Sequence, residues 1–446
     1  MDAVLLARIQ FALTVGFHYI FPPLTIGMAW IIVWILGRQL MTGDELYRRI
    51  ARFWIKLFAL SFVVGVASGI TMEFQFGMNW ADYSRFVGDI FGAPLAAEGV
   101  IAFFLESSFL GVLLFGEKRV SDRVYWFSAL MVAVGSTLSA FWIIVANSWQ
   151  QTPAGYRIVD GRAELVDFFA ALFNPSTIPR FLHTVDGALV TGAFFVTGVS
   201  ALYLLRGQHQ RFAEKSLATG VVAGFLASSL IVPFGHLHGV QVAETQPAKL
   251  AAVEGIWETQ TKAPLLLFGI PNRKERRTEF AVELPGLLSI GVGGSIDTEV
   301  KGLNDFPEDE WPPLLLSFFS FHLMVGLGLY FTAFTALGLF LLYRKKLFQN
   351  RIYLGLALLS VPLPFIANEC GWIAAEVGRQ PWIVYGLMRT RDAVSISVPA
   401  WQIAVSIALF CALYTVLFCF WIYLLKRKLD QGPEPDPATG DEEVAE

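Results

Sequence analysis

Charge is scarce in this chain: Asp, Glu, Lys and Arg make up 16% of its 446 residues, and the net charge is −4. No basic face of the size that nucleic acid requires can be assembled from so few cations, so a nucleic-acid partner is excluded. Cysteine is scarcer still, with Cys370, Cys411 and Cys419 all inside apolar stretches and no CxxC pair. That excludes a disulfide scaffold and a cysteine-based zinc site, and the lack of an HExxH run removes the common zinc-hydrolase signature. Six histidines are present, His18, His183, His209, His236, His238 and His322, too few and too scattered for a copper centre built from grouped imidazoles. No basic segment precedes the first apolar stretch and no small-residue cleavage site comes after it, so that stretch reads as a retained helix.

Apolar length is what the chain does have. Hydrophobic residues make up 55% of it, and nine runs of spanning length fall at roughly 10–37, 53–77, 94–116, 124–147, 183–206, 216–236, 313–343, 352–377 and 399–425. The pattern predicts an all-α polytopic membrane protein of about nine transmembrane helices. Every second loop is basic: Arg38 to Lys56, Lys118 to Arg123, Arg206 to Lys215, Arg344 to Arg351 and Lys426 to Lys428. Short basic loops stay cytoplasmic, which places the N-terminus outside, the C-terminus inside, and the polar connections at 78–93, 148–182 and 237–312 outside. The chain then divides into six helices over 1–236, an external loop over 237–312, three helices over 313–430, and a tail over 431–446 whose Pro-rich acidic composition predicts disorder.

Rare polar groups inside these spans carry the chemistry, since a charge in hydrocarbon costs at least about 2.5–3.5 kcal/mol and persists where it has a partner or a task. In NECGWIAAEVGRQPW, Glu369, Trp372, Glu376 and Arg379 fall on one helix face. The predicted topology sets His18, Glu98, Glu106, His183, Met324 and Glu376, from five helices, in one layer of the outer half of the membrane. Glu98 and Glu106 differ by about 80° around an ideal helix and do not readily share a partner. Histidine with methionine is the usual pair for a low-spin electron-transferring haem, and an open haem needs one protein ligand. A proton-coupled transporter using the same carboxylates, with helices broken at Pro22-Pro23 and Pro362/Pro364, and a non-catalytic haem b relay are the alternatives.

Four stretches carry a family resemblance: RIQFALTVGFHYIFPPLT from Arg8, GDIFGAPLAAEGVIAFFLESSFLG from Gly88, KLAAVEGIWETQ from Lys249, and GRQPW after Glu376. Their order and their placement in the spans resemble the larger subunit of cytochrome bd-type quinol oxidases, in the form with a short external quinol loop. The resemblance implies a terminal oxidase of the bacterial cytoplasmic membrane. It would oxidise quinol at the outer face and reduce O2 to water with cytoplasmic protons, electrogenically and without a pump. It implies His183 and Met324 as ligands of a low-spin haem b. His18 and Glu376 would each hold one of a high-spin haem b and a haem d, or a b-type haem in its place, with Glu98 at that pair. Glu106 with Ser107 and Ser108 would line a proton route, Lys249 and Glu254 would serve quinol oxidation, Trp372 would pack between haems, and Arg8 and Arg379 would meet haem propionates. A smaller integral-membrane subunit, a single-span small subunit, and membrane lipid are the implied partners.

Two positions depart from the family pattern. His322 stands where well-known members have Arg, two residues before Met324, so His322 and Met324 point to opposite helix faces and cannot both be ligands. The run Gly235-His236-Leu237-His238-Gly239, at the expected loop entrance, has no acidic residue after its first glycine.

Overall fold

The structure, a computed structural model, describes residues 2–434, so most of the acidic tail predicted over 431–446 lies outside the described residues. Among the described residues nine helical spans are long and apolar enough to cross a membrane. The first is α1 (Ala3–His18) followed by α2 (Phe21–Thr42), and the next two are α3 (Glu45–Met78) and the segment made of α4 (Ala81–Ala97), a π-helical stretch (Glu98–Phe103) and α5 (Phe104–Phe115). After α6 (Asp122–Gln151) come a small hairpin, β1 (Tyr156–Val159) with β2 (Arg162–Leu165), and α7 (Phe168–Leu172). The long helices α8 (Thr177–Arg206) and α9 (Gln210–Thr245) come next. A polar unit holds α10 (Pro247–Glu254), the hairpin β3 (Leu265–Asn272) with β4 (Arg277–Leu284), and α11 (Leu287–Gly293). The last spans are α12 (Leu314–Tyr343), α13 (Arg351–Leu359) with α14 (Leu363–Val377), and, after the short pair β5 (Trp382–Val384) and β6 (Met388–Arg389), α15 (Ala400–Gln431).

Local chemistry explains the helix ends. Asp2 and Asp44 cap α1 and α3 by accepting from Val4 N and Leu46 N at 2.9 Å each. Gly43 and Gly207 close α2 and α8 in the left-handed conformation, at φ +68° and +69°. The prolines that suggested broken transporter helices occupy first turns, Pro22-Pro23 in α2 and Pro364 in α14, where a missing N–H leaves no bond unmade.

Three expected boundaries are corrected. The stretch 78–93 is not an external polar loop, because α4 begins at Ala81; its polar residues DYSR lie in the first turns of a half-buried helix. Glu98, near the start of the expected 94–116 run, therefore lies in the middle of the helical span Ala81–Phe115. The sixth span does not stop at 236: α9 runs to Thr245, and His236 and His238 are helical residues, not a loop entrance. His183 likewise sits two turns inside α8, which starts at Thr177.

The centre of the bundle is the crossing of α2 and α8. The most apolar window of α8 is 78% buried, against 11% for α15, which lies at the periphery. Backbone approaches backbone here: a Cβ on Gly27 would stand 2.7 Å from Gly192 N and 2.8 Å from Gly192 Cα. Small residues at such a contact let dispersion forces act over the helix backbones, the main source of helix association in lipid. Gly192→Val is expected to lower the thermal midpoint of the solubilised protein by several degrees, consistent with an overpacking cost of about 1–3 kcal/mol. Gly355→Ala, with nothing within 4 Å of the added Cβ, serves as the neutral control.

Candidate functional site

The site is a cavity of about 1540 Å³ that runs between the helices. Arg8 and His18 from α1, Glu98, Glu106 from α5, His183 from α8, Lys249 and Glu254 from α10, Met324 from α12, Trp372 and Glu376 from α14, and Arg379 just beyond it all line this one space. Glu369 does not. Its carboxylate instead lies beside Gly16, 3.5 Å from where a Cβ would stand, so only three of the four stripe residues reach the cavity.

The nitrogen and sulfur donors sit against glycines. A Cβ on Gly69 would lie 3.2 Å from the His18 ring, one on Gly235 3.2 Å from the His183 ring, and one on Gly371 2.9 Å from Met324 Sδ. His18 Nδ1 is 3.0 Å from Ser68 Oγ, and the Ser68 hydroxyl proton is used on Gly65 O at 2.9 Å. Ser68 therefore accepts from Nδ1–H, which leaves a lone pair on His18 Nε2. His322 lies outside the cavity that Met324 lines: its nitrogens each lie 2.9 Å from a backbone carbonyl, Phe318 O and Leu266 O, and its ring stacks on Phe318.

Glu376 is held by a dense polar network. Arg379 Nη2 donates to Oε2 at 2.5 Å, while Asn147 Nδ2 and Gln151 Nε2 donate to Oε1 at 3.0 and 3.2 Å. Arg180 stands 3.9 Å from the same carboxylate and donates to Asn147 Oδ1. Arg180 is itself buried, and its Nε and Nη1 have no hydrogen-bond partner. A buried carboxylate in apolar surroundings is tolerated only with such pairing.

The carboxylates of the third span do share a surface. Ser136 donates to Glu106, and Ser139, one turn along α6, donates to Glu98 at 2.7 Å. The π-helical stretch explains this: one extra residue rotates the rest of the span by about 100° and offsets the 80° of an ideal helix. Ser107 donates to Phe103 O at 2.7 Å, and neither Ser107 nor Ser108 lines the cavity, whereas Ser136 and Ser139 of α6 do.

Next to the Glu376 network, Lys249 Nζ donates to Ala375 O at 2.9 Å and Gln151 Oε1 at 3.1 Å. Burial, and then the charge of Arg180, holds its ammonium well below the usual lysine range. Burial pushes the Glu254 carboxyl up to about 8, and its Oε2 has no hydrogen-bond partner. Arg180, Asn147, Gln150, Gln151, Ser136 and Ser139 are site residues that motifs alone do not reveal. The sequence signals for them are Arg180 one turn before His183 and the polar run NSWQQ closing an apolar span.

Comparison with known proteins gives the family. The family described as "Cytochrome bd terminal oxidase subunit I" matches residues 6–433. The chain is 40% identical to "Cytochrome bd ubiquinol oxidase subunit 1" of Bacillus subtilis, over 98% of this chain and 95% of the relative. It is 37% identical to the bd-II ubiquinol oxidase subunit 1 of Escherichia coli, over 97% of each. It is 34% identical to a putative bd menaquinol oxidase subunit I of Bacillus subtilis, over 95% and 96%. The structure superposes on bd oxidase from Geobacillus thermodenitrificans with a TM-score of 0.92 at 33% identity, covering 97% of this chain and 99% of that one. The chain therefore belongs to the cytochrome bd terminal oxidase subunit I family, and with it to the haem-containing quinol oxidases of the bacterial cytoplasmic membrane.

Proposed function

We propose that the chain oxidises quinol at Lys249 and Glu254 and reduces O2 to water in the same cavity, beside His18, Glu98 and Glu376. The carrying observation is that the quinol-side pair, the candidate haem ligands and the two carboxylates of the third span line one continuous space. The basic loops place the N-terminus outside and the C-terminus in the cytoplasm, so the unit over 246–313 faces outward. A second, smaller subunit completes the oxidase, with a single-span subunit as a further component. Relatives carry both ubiquinol and menaquinol in their names.

Haem fits this lining. The donors are imidazole, thioether and carboxylate with no thiolate, glycines leave room beside each nitrogen and sulfur donor, and Arg180 offers two unpartnered N–H groups to an anionic substituent. His183 and Met324 would hold a low-spin haem b, His18 and Glu376 a high-spin haem b and a haem d or its b-type replacement. When bound, these groups supply one-electron redox chemistry and the O2 site. Arg8 and Arg379 would pair with propionates, and Trp372 would fill the gap between haems.

Protons are handled by this chain's own side chains. As a neutral amine Lys249 has two N–H bonds, which satisfy Ala375 O and Gln151 Oε1, and one lone pair left to accept from a quinol hydroxyl. Glu254 is the second acceptor once ionised. Glu106 with Ser136 and Glu98 with Ser139 form a carboxylate and hydroxyl ladder for cytoplasmic protons, making the reaction electrogenic without a pump.

A reduced-minus-oxidised spectrum tests the reading directly: low-spin haem b with a long-wavelength chlorin band is expected, and a protein with no haem bands would refute it. Met324→Leu should remove the low-spin signal while leaving the other haems, and an unchanged low-spin spectrum would reject that ligand. Burial disfavours the Glu254 anion, so the carboxyl is protonated below about pH 8 and ionised above it. Quinol oxidation should accordingly rise as pH passes about 8, and Glu254→Gln should abolish that limb. Glu106→Gln should keep its haems and accept electrons from quinol, yet consume O2 and acidify the exterior of proteoliposomes about tenfold or more slowly. Full turnover in that variant would return Glu106 to a structural role.

A further inference from the structure

The outward unit carries an apolar surface that the quinol and haem reading leaves unused. Leu267, Phe268, Ile270, Phe280, Val282 and Leu284 of the β3–β4 hairpin are all exposed, Phe280 at 76%, and Leu287 and Ile290 of α11 continue the patch. So many large apolar side chains facing water on one small element would be unusual for a soluble surface.

The depth of the hairpin shows what covers it. Leu266 O lies 2.9 Å from His322 Nε2, which fixes β3 beside α12 at the level of His322. From His322 to the basic cluster at Arg344 to Lys346 is about 23 residues, or about 35 Å at 1.5 Å per residue. A hydrocarbon core of about 30 Å that begins near the basic cluster therefore ends near His322. Beyond that level Leu315 and Phe319 of α12 remain exposed, so apolar surface of α12 continues past His322, where the hairpin lies. At its polar edge Arg273 and Arg276 stack on Trp311, at 5.5 and 5.4 Å to the ring centre, the aromatic and basic pairing suited to a headgroup layer.

We propose that the β3–β4 hairpin and α11 lie in the outer-leaflet interface, with lipid as the occupant of their apolar face, and form the lip over which the long apolar tail of quinol enters the cavity. Leu287 connects the two environments, since it is exposed on the patch and also lines the cavity with Leu288, Gly291 and Glu254. The lipid contact stands on geometry alone, while the passage of the tail rests on the quinol reading above.

The test uses the assembled oxidase in proteoliposomes, with Cys370, Cys411 and Cys419 replaced by alanine and Phe280→Cys carrying an environment-sensitive fluorophore. Quenching by lipids with a doxyl group near the headgroup, and not by aqueous iodide, is expected. Quenching by iodide would overturn the proposal by showing a water-exposed face, and protection from both quenchers would overturn it by showing a protein cover. Phe280 holds φ +52°, a conformation asparagine tolerates, so Phe280→Asn removes apolar surface without adding backbone strain. This variant should raise KM several-fold for a long-tailed quinol and leave kcat, and KM for a short-tailed soluble quinol, unchanged. Equal KM shifts for both quinols, or none, would reject the lip. Absence of quinol oxidation in the parent protein would count against the proposed function, whereas the quenching pattern is read without turnover.

Discussion

The rest of the site depends on how one half-buried carboxylate inside the bundle is neutralised. Glu376 engages Arg379, Arg180, Asn147 and Gln151, so α14, α8 and α6 meet at a single anion, and Lys249 of α10 joins through Gln151 and Ala375 O. Removing one partner from such a buried network leaves an uncompensated charge, at a cost of about 3–5 kcal/mol. Two guanidinium groups around one carboxylate leave an excess of positive charge, and Arg180 keeps two N–H groups unpartnered. An anionic ligand satisfies both. The network is thus structural in holding four elements and, on the proposed reading, prepared for the acidic substituents of haem. Because both Glu376 oxygens already accept hydrogen bonds, its proposed ligation of iron would redistribute this network.

Close packing supplies the complementary constraint. The backbones of α2 and α8 touch through Gly27 and Gly192, and α9 packs on α8 with Gly220 against the backbone of Ala193 and Thr197. With the central helices pressed together by small residues, open volume gathers around the donors, where Gly69, Gly235 and Gly371 leave space beside His18, His183 and Met324. Glycine thus does two opposite things in this bundle, closing one helix contact and keeping another region open. The surrounding sequence decides which: Gly27 meets a second glycine, whereas Gly69 and Gly235 meet imidazole rings.

Hydropathy and loop charge make the span count legible, because burial in lipid leaves a strong compositional trace. Helix ends are less legible for a physical reason. The DYSR turn of α4 and the GHLHG run of α9 are polar where they border the cavity or reach past the hydrocarbon, and polarity in a helix resembles polarity in a loop. The donors themselves are visible as rare polar residues at one depth, and the structure brings them to one cavity. Their partners are not visible: Ser136 and Ser139 look like ordinary small residues of an apolar helix, and no composition signal marks the π-helical stretch that turns Glu98 and Glu106 to face them. Arg180 is hidden because an arginine at a helix start reads as an interfacial end. Its burial comes from the residues that precede it, as α8 begins a turn before it, at Thr177.

The serine partners bear on how protons could cross so much hydrocarbon. A chain of permanent charges along the third span would carry the several kcal/mol per ion that burial costs. A carboxyl paired with a hydroxyl avoids this, since serine both donates and accepts and the acid can stay neutral between transfers. Ser136 meets this condition: its oxygen lies against Glu106 and 3.0 Å from Val132 O, so its proton has two alternative acceptors. Ser139 and Glu98 repeat the pair one turn along α6. The π-helical stretch is what makes the repeat possible, because on an ideal helix the second carboxyl would be turned about 80° aside. In the proposed mechanism the displacement of protons across the membrane therefore rests on one inserted residue in the backbone as much as on the two glutamates it aligns.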